Sequence, residues 1–93
     1  FSGKSLESYF IEVMKESGAY TRLGYWHDRK GENEIDIIAE DEIDNKIVFI
    51  EVKRQEKNFD EKVLKSKSEL FFKAVGTFKD FEIIYKGLSI EDM

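Results

Sequence analysis

An acidic residue and a nearby carboxylate–lysine pair are the clearest chemical feature of this 93-residue sequence. Asp36 lies in one β-type stretch, and Glu51 and Lys53 lie in the next. Because alternate residues of a strand share a face, Glu51 and Lys53 point the same way. If the turn between the stretches centres between Ile43 and Asp44, Asp36 lies opposite Glu51. We therefore expect three charges to converge on one face of a hairpin whose other face is apolar.

Two opposed carboxylates suit a divalent cation. Like charges directly opposite each other destabilise a sheet, unless a cation lies between them. We predict that Asp36 and Glu51 bind Mg²⁺ or Mn²⁺, with the backbone carbonyl of Val52 as a further oxygen ligand. Such a metal activates water and stabilises charge on a phosphoryl oxygen, and Lys53 would assist the attack. The alternative is an ordinary surface salt bridge between an acidic strand and a basic strand.

Two charged residues on predicted helices could reach this site. Glu7 borders the apolar stripe of the first helix and could bind the metal directly or through water. Alternatively, the helix dipole simply favours a glutamate in the first turn. Lys67 lies within the apolar stripe of the second helix, between Val63 and Phe71, so its ammonium must snorkel to solvent or find an anion. We expect it to reach the site carboxylates or a substrate phosphate, with snorkelling at the domain edge as the alternative.

Other candidates carry weaker signals. Gln55 shares the strand face of the carboxylate–lysine pair if that strand continues, and it could hydrogen-bond a substrate. Lys57 belongs to a basic stretch that could contact DNA. Tyr25 and Trp26 could stack on a base, although an anchor in the core is the simpler interpretation. His27, the only histidine, receives no role.

The hydrophobic pattern predicts six elements that must position these residues. The expected order is αβββαβ, with helices over 3–17 and 60–75, strands over 20–26, 33–40, 46–54 and 81–85, a closing Gly87, and a helical turn or frayed end over 88–93. A three-stranded meander followed by a helical crossover implies an α/β (α+β) fold with a mixed four-stranded sheet flanked by helices.

Composition indicates one small domain. Hydrophobic residues make up 41% of the chain, which suffices for a compact core. The lack of cysteine fits a reducing compartment, and no apolar run approaches the roughly 18 residues that a membrane span needs. We therefore expect a cytoplasmic protein with no membrane partner, and the start at Phe1 suggests a piece of a longer chain.

Charge is distributed unevenly along the chain. The net charge of −5 argues mildly against nucleic acid as a partner. The segment 52–79 nevertheless carries 8 basic and 4 acidic residues, beginning at the predicted site and continuing through the second helix. This segment is either a surface for DNA phosphates or a solvated helix face.

Glu7 on the first helix, Asp36 on the second strand and the Glu51–Lys53 pair on the third, in the order αβββαβ, form an arrangement that resembles the PD-(D/E)xK nuclease superfamily. Ile35 stands where that superfamily often has proline. The resemblance implies a restriction-endonuclease-like core in which Asp36 and Glu51 are metal ligands and Lys53 is the catalytic lysine. Glu7 would be the helix-borne acid. By the same resemblance, Lys67 would occupy a place where the superfamily often has a supporting polar residue.

The stretches 31–39 and 49–53 look most like the domain of unknown function at the C-terminal end of archaeal-type AAA-class ATPases. This likeness implies that residues 1–93 form a single nuclease-like domain, C-terminal in a longer ATPase. DNA and the ATPase domain would be its partners. Two functions stay open: a Mg²⁺- or Mn²⁺-dependent DNA nuclease, and a non-catalytic module of the same fold that binds DNA or protein. Docking or homodimerisation alone is a third role.

Overall fold

The computed structural model describes residues 3–53, 55, 57, 59–76 and 81–89, with only the backbone of 3–5. The predicted order αβββαβ is confirmed. Its elements are α1 (Gly3–Ser17), β1 (Arg22–His27), β2 (Glu34–Asp41), β3 (Lys46–Val52), α2 (Glu61–Val75) and β4 (Glu82–Leu88). Within these residues, neither helix is both long and apolar enough to cross a bilayer.

The strands form one mixed sheet in the order β1-β2-β3-β4, as the connections predict. β2 pairs antiparallel with β1 and β3, whereas β4 runs parallel to β3 after the α2 crossover. The register of the β2–β3 hairpin runs from Asp41↔Lys46 to Ile37↔Ile50. This register confirms the predicted turn centre between Ile43 and Asp44, and Asp36 and Glu51 follow directly after its last pair.

The hairpin turn explains this register. The Asp41 Oδ1 atom accepts hydrogen bonds from the backbone N–H groups of Ile43 and Asp44, at 3.0 and 3.2 Å. Asn45 then adopts a positive φ of 54°, a conformation that asparagine tolerates better than most residues. These local preferences fix the turn, and the turn fixes which residues of β2 and β3 face each other.

Both faces of the sheet are buried, one under each helix. Leu6 and Phe10 of α1 pack on one face, whereas Leu64 and Phe71 of α2 pack on the other. The sheet residues under α1 are Ile37, Ala39, Val48 and Ile50, and those under α2 are Ile35, Ile38, Ile47 and Phe49. The expectation of one charged and one apolar hairpin face is therefore wrong, because each face supplies a hydrophobic core.

Strands β3 and β4 end at different places from those predicted. β3 stops at Val52 rather than at residue 54. β4 passes through Gly87, which pairs with Glu51, and ends at Leu88. The Lys53 N–H then donates to the carbonyl of Leu88 at 2.8 Å. Gly87 thus continues β4 instead of closing it, and residues 90–93 of the predicted terminal turn lie outside the described residues.

Candidate active site

Asp36 lies where β2 contains an extra residue. The pairing of β1 with β2 runs from Gly24↔Ile38 directly to Trp26↔Ile35, so β2 uses one residue more than β1 over this step. Such a β-bulge bends the strand and re-aims a side chain, and bulges are frequent beside active sites. The bulge therefore gives the Asp36 carboxylate a direction that a regular strand would not provide.

The Asp36 carboxylate is held by the backbone of β3. Its Oδ2 atom accepts a hydrogen bond of 2.9 Å from the N–H of Val52. This N–H lies beyond the last pair of the hairpin, Ile37↔Ile50, so the side chain continues the ladder where the backbone pairing ends. The bond fixes the carboxylate beside the residue that follows Glu51.

Glu51 is a buried carboxylate between two ammonium groups. The residue is only 6% exposed. Its Oε1 atom lies 3.1 Å from the Nζ of Lys67 and 3.3 Å from the Nζ of Lys53. The prediction that Lys67 reaches a site carboxylate from the stripe of α2 is therefore confirmed. Two cations offset the cost of burying one anion, so this part of the site carries a net positive charge.

Glu7 lines a cleft together with Asp36. The cleft has a volume of about 380 Å³ and lies between α1 and the bulged end of β1 and β2. Glu34 and His27 also line it, so acidic groups predominate there. The ring of Tyr25 stacks on His27 at its rim, with ring centroids 6.2 Å apart.

The predicted site residues therefore form two groups. Glu7 and Asp36 share the cleft on the α1 side. Glu51 and Lys53 contact each other, and Lys67 joins them from α2. The hydrogen bond between Asp36 and the backbone next to Glu51 links the groups.

Two predicted substrate-binding residues lie outside the strand. Because β3 ends at Val52, Gln55 does not continue its face. Gln55 and Lys57 are both exposed and belong to the segment that leads into α2. Trp26 packs edge-on against Phe71, with ring centroids 5.9 Å apart, which confirms it as a core anchor.

Asp36, Glu51 and Glu7 carry carboxylate oxygens, the donors that a hard divalent cation prefers. Among the described residues, no three His, Cys, Asp or Glu side chains are grouped so that they could hold a metal ion. Mg²⁺ needs only one or two protein carboxylates, since water and substrate phosphates complete its octahedron. Two carboxylates such as those of Asp36 and Glu51 match this donor chemistry in kind. They do not fit a closed structural metal site.

Sequence reasoning missed Glu34 as a residue of the cleft. The available signal was its spacing of two residues from Asp36, which would place both on one face of a regular strand. That signal is ambiguous, since the bulge interrupts the alternation at this point.

Comparison with known proteins identifies the family. A family described as "Domain of unknown function (DUF4143)" matches residues 2–92, and the chain therefore belongs to it. Searches among curated proteins and among solved structures found no match.

Proposed function

We propose that this DUF4143-family domain is a Mg²⁺- or Mn²⁺-dependent nuclease that hydrolyses phosphodiester bonds of DNA. The observation that carries the proposal is the meeting of Asp36 with the Glu51–Lys53 end of β3, supported by Lys67. The PD-(D/E)xK resemblance supplies the expected reaction. The separate likeness of the stretches 31–39 and 49–53 to the C-terminal domain of archaeal-type AAA-class ATPases leads us to propose attachment to an ATPase domain.

Asp36 and Glu51 would hold the metal, which would activate water and stabilise charge on the phosphoryl oxygen. Lys53 has a side chain that is 40% exposed, so a phosphate can approach its ammonium from solvent. It would neutralise the charge that develops during attack. Lys67 is only 19% exposed, and it holds Glu51 in place rather than meeting the substrate first.

The decisive experiment combines metal binding with cleavage. We expect Mn²⁺ to bind saturably to the wild type by calorimetry, and DNA to be cut only in the presence of Mn²⁺ or Mg²⁺. Asp36→Asn should abolish both, yet fold normally, because an amide oxygen can still accept the Val52 hydrogen bond. Lys53→Ala should retain metal binding and lose cleavage. Asp44→Asn, an equal charge change in the exposed hairpin turn, is the control.

Equal cleavage by the wild type, Asp36→Asn and Lys53→Ala would contradict the nuclease proposal. Absence of Mn²⁺ binding to the folded wild type, with and without DNA, would do so as well.

One observation favours a non-catalytic module instead: both lysines of the site already neutralise Glu51. In that case the exposed lysines 57, 62 and 65 would bind DNA phosphates. Reversing their charge should weaken binding of a fluorescent DNA and reduce its salt dependence. Unchanged binding would exclude this surface. Light scattering tests the proposed homodimer independently.

A further inference from the structure

Glu40 is a second buried carboxylate, on β2 and outside the candidate active site. The residue is 6% exposed, and its Oε2 atom accepts no hydrogen bond from the described residues. Its nearest cation is the Nε of Arg22, at 3.7 Å, on a side chain that is 74% exposed. Such a loose and solvated ion pair contributes little, whereas burying a carboxylate is costly.

The backbone keeps this carboxylate in its buried position. The carbonyl of Glu40 accepts hydrogen bonds from the N–H of Thr21, at 2.8 Å, and from the hydroxyl of Thr21, at 3.1 Å. Arg22 pairs with Glu40 across the β1–β2 ladder. This pairing fixes the backbone of Glu40, so its Cβ stays on the face of the sheet that it shares with Ile38.

A cleft of about 360 Å³ opens beside this carboxylate, between β1 and the end of α2. Its walls include the apolar side chains of Ile38, Phe71 and Val75. Val75 is 56% exposed, so the cleft communicates with solvent. Glu40 and Arg22 are the charged residues that line it, and a partly apolar cleft of this size with a few polar groups is the usual form of a small-ligand site.

The lining selects the chemistry of the ligand. An anion would be repelled by Glu40, and a neutral apolar group would leave the buried charge with only its loose contact to Arg22. A guanidinium or ammonium group would donate charge-assisted hydrogen bonds to the carboxylate, and an attached aliphatic chain would cover the apolar wall. We propose that this cleft binds an organic cation of that kind, either free or as a basic side chain of another protein.

The test uses n-butylguanidinium as the probe and the amide NMR signals of Leu23, Gly24, Ile38 and Phe71 as the readout. We expect saturable shifts in the wild type and at least about tenfold weaker binding in Glu40→Gln. Butanol, which has the same chain without charge, should bind weakly to both. Glu42→Gln, an exposed acid two residues away, is the control and should bind like the wild type.

Arg22 provides a second test that leaves Glu40 in place. If the cleft awaits an external cation, Arg22 competes with it, so Arg22→Ala should bind the probe as tightly as the wild type or about threefold more tightly. If Arg22 were the intended partner, Arg22→Ala would instead lower the melting temperature strongly. That result, or equal binding by the wild type and Glu40→Gln, or no saturable shift, would overturn the proposal.

A blocked tripeptide, acetyl-Gly-Arg-Gly-amide, distinguishes the two sources of the cation. Tighter binding of the peptide than of n-butylguanidinium assigns the cleft to a basic side chain. Equal or weaker binding assigns it to a free organic cation.

Discussion

Because Glu51 is buried between two lysines, removal of either lysine should lower the free energy of unfolding. Lys67 is the more buried partner and makes the shorter contact, 3.1 Å. Lys67→Met would keep the aliphatic packing on α2 but leave Glu51 with one exposed cation. We expect a loss of about 1–3 kcal/mol in the free energy of unfolding, measured by urea denaturation.

Lys53→Met is the matched control, because this lysine contacts the same Glu51 oxygen from a more exposed position. Its loss should cost less than about 1 kcal/mol. Equal costs for the two variants would contradict the view that Lys67 provides most of the compensation for the buried charge.

Asp28 shows how local hydrogen bonds tune a carboxyl group. The side chain of Asn33 donates to its Oδ2 atom and the N–H of Glu32 donates to Oδ1, both at 2.9 Å. The bond from Asn33 is the main cause that lowers the pKa of Asp28 from its ordinary value of 3.8. These bonds favour the charged form.

The pH dependence follows from the direction of this shift. Because the pKa of Asp28 is lower in the folded state, its contribution to stability is present above the unfolded pKa. That contribution is lost as the pH falls through the folded pKa. We expect Asn33→Ala to raise the pKa of Asp28 toward 3.8 in an NMR titration of its carboxyl carbon. An unchanged pKa in this variant would assign the shift to another cause.

Among the elements, β4 depends on a close approach at Gly87. A Cβ atom built there would lie 2.5 Å from the Cγ of Phe59, whose ring precedes α2. Gly87→Ala should therefore lower the free energy of unfolding by about 1–3 kcal/mol in urea denaturation. In the Phe59→Ala background the same substitution should cost almost nothing.

Gly24→Ala on β1 is the control, because an added Cβ there meets nothing within 4 Å. It should change stability by no more than about 0.5 kcal/mol. A similar cost at Gly24 and Gly87 would mean that a general property of glycine in these strands, rather than the Phe59 ring, governs the effect.

The elements and the hairpin register were predictable because local patterns determine them. Alternating or continuous apolar runs mark the strands, and the turn residues around Asp44 fix the centre of the hairpin. The bulge at Asp36 was not predictable, since β2 contains no glycine or proline that would indicate it. The end of β4 was misplaced because glycine commonly marks a strand end, whereas here a distant ring covers Gly87.

Among the individual charged residues, too, some contacts were predictable from the sequence and others were not. For Lys67 the sequence predicted two outcomes, an anionic partner or snorkelling to solvent, and its contact with Glu51 selects the first. Glu40 was not recognised, because an acid next to Asp41 at the end of a strand predicts exposure. Its burial depends on α2 and β1 meeting over it, which only the tertiary structure shows.

At the scale of the whole molecule, β3, one of the two inner strands of the sheet, joins the two hydrophobic cores. Val48 and Ile50 of β3 belong to the core under α1, while Ile47 and Phe49 belong to the core under α2. Because β3 contributes residues to both cores, unfolding of either helix would expose one face of β3. The other helix packs on the opposite face of the same strand, so it would be destabilised as well. We therefore expect the domain to unfold as one cooperative unit, and not as two layers that unfold independently.

Substitutions in the two layers test this expectation. Leu6 of α1 belongs to one core and Leu64 of α2 to the other, so Leu6→Ala and Leu64→Ala each create a cavity in one layer. Each should cost about 2–5 kcal/mol, a large part of the roughly 5–15 kcal/mol that stabilises a small domain. Val13→Ala, on the same helix as Leu6 but 44% exposed, should have little effect.

Trp26 provides the informative signal, since it packs against Phe71 in the α2 layer, whereas Leu6 belongs to the core under α1. If the sheet couples the layers, Leu6→Ala should lower the urea midpoint of Trp26 fluorescence as much as that of far-ultraviolet circular dichroism. A Leu6→Ala protein that loses helical signal while Trp26 unfolds at the wild-type midpoint would show that α1 melts alone. The α1 side of the Glu7–Asp36 cleft would then unfold independently of the rest of the candidate active site.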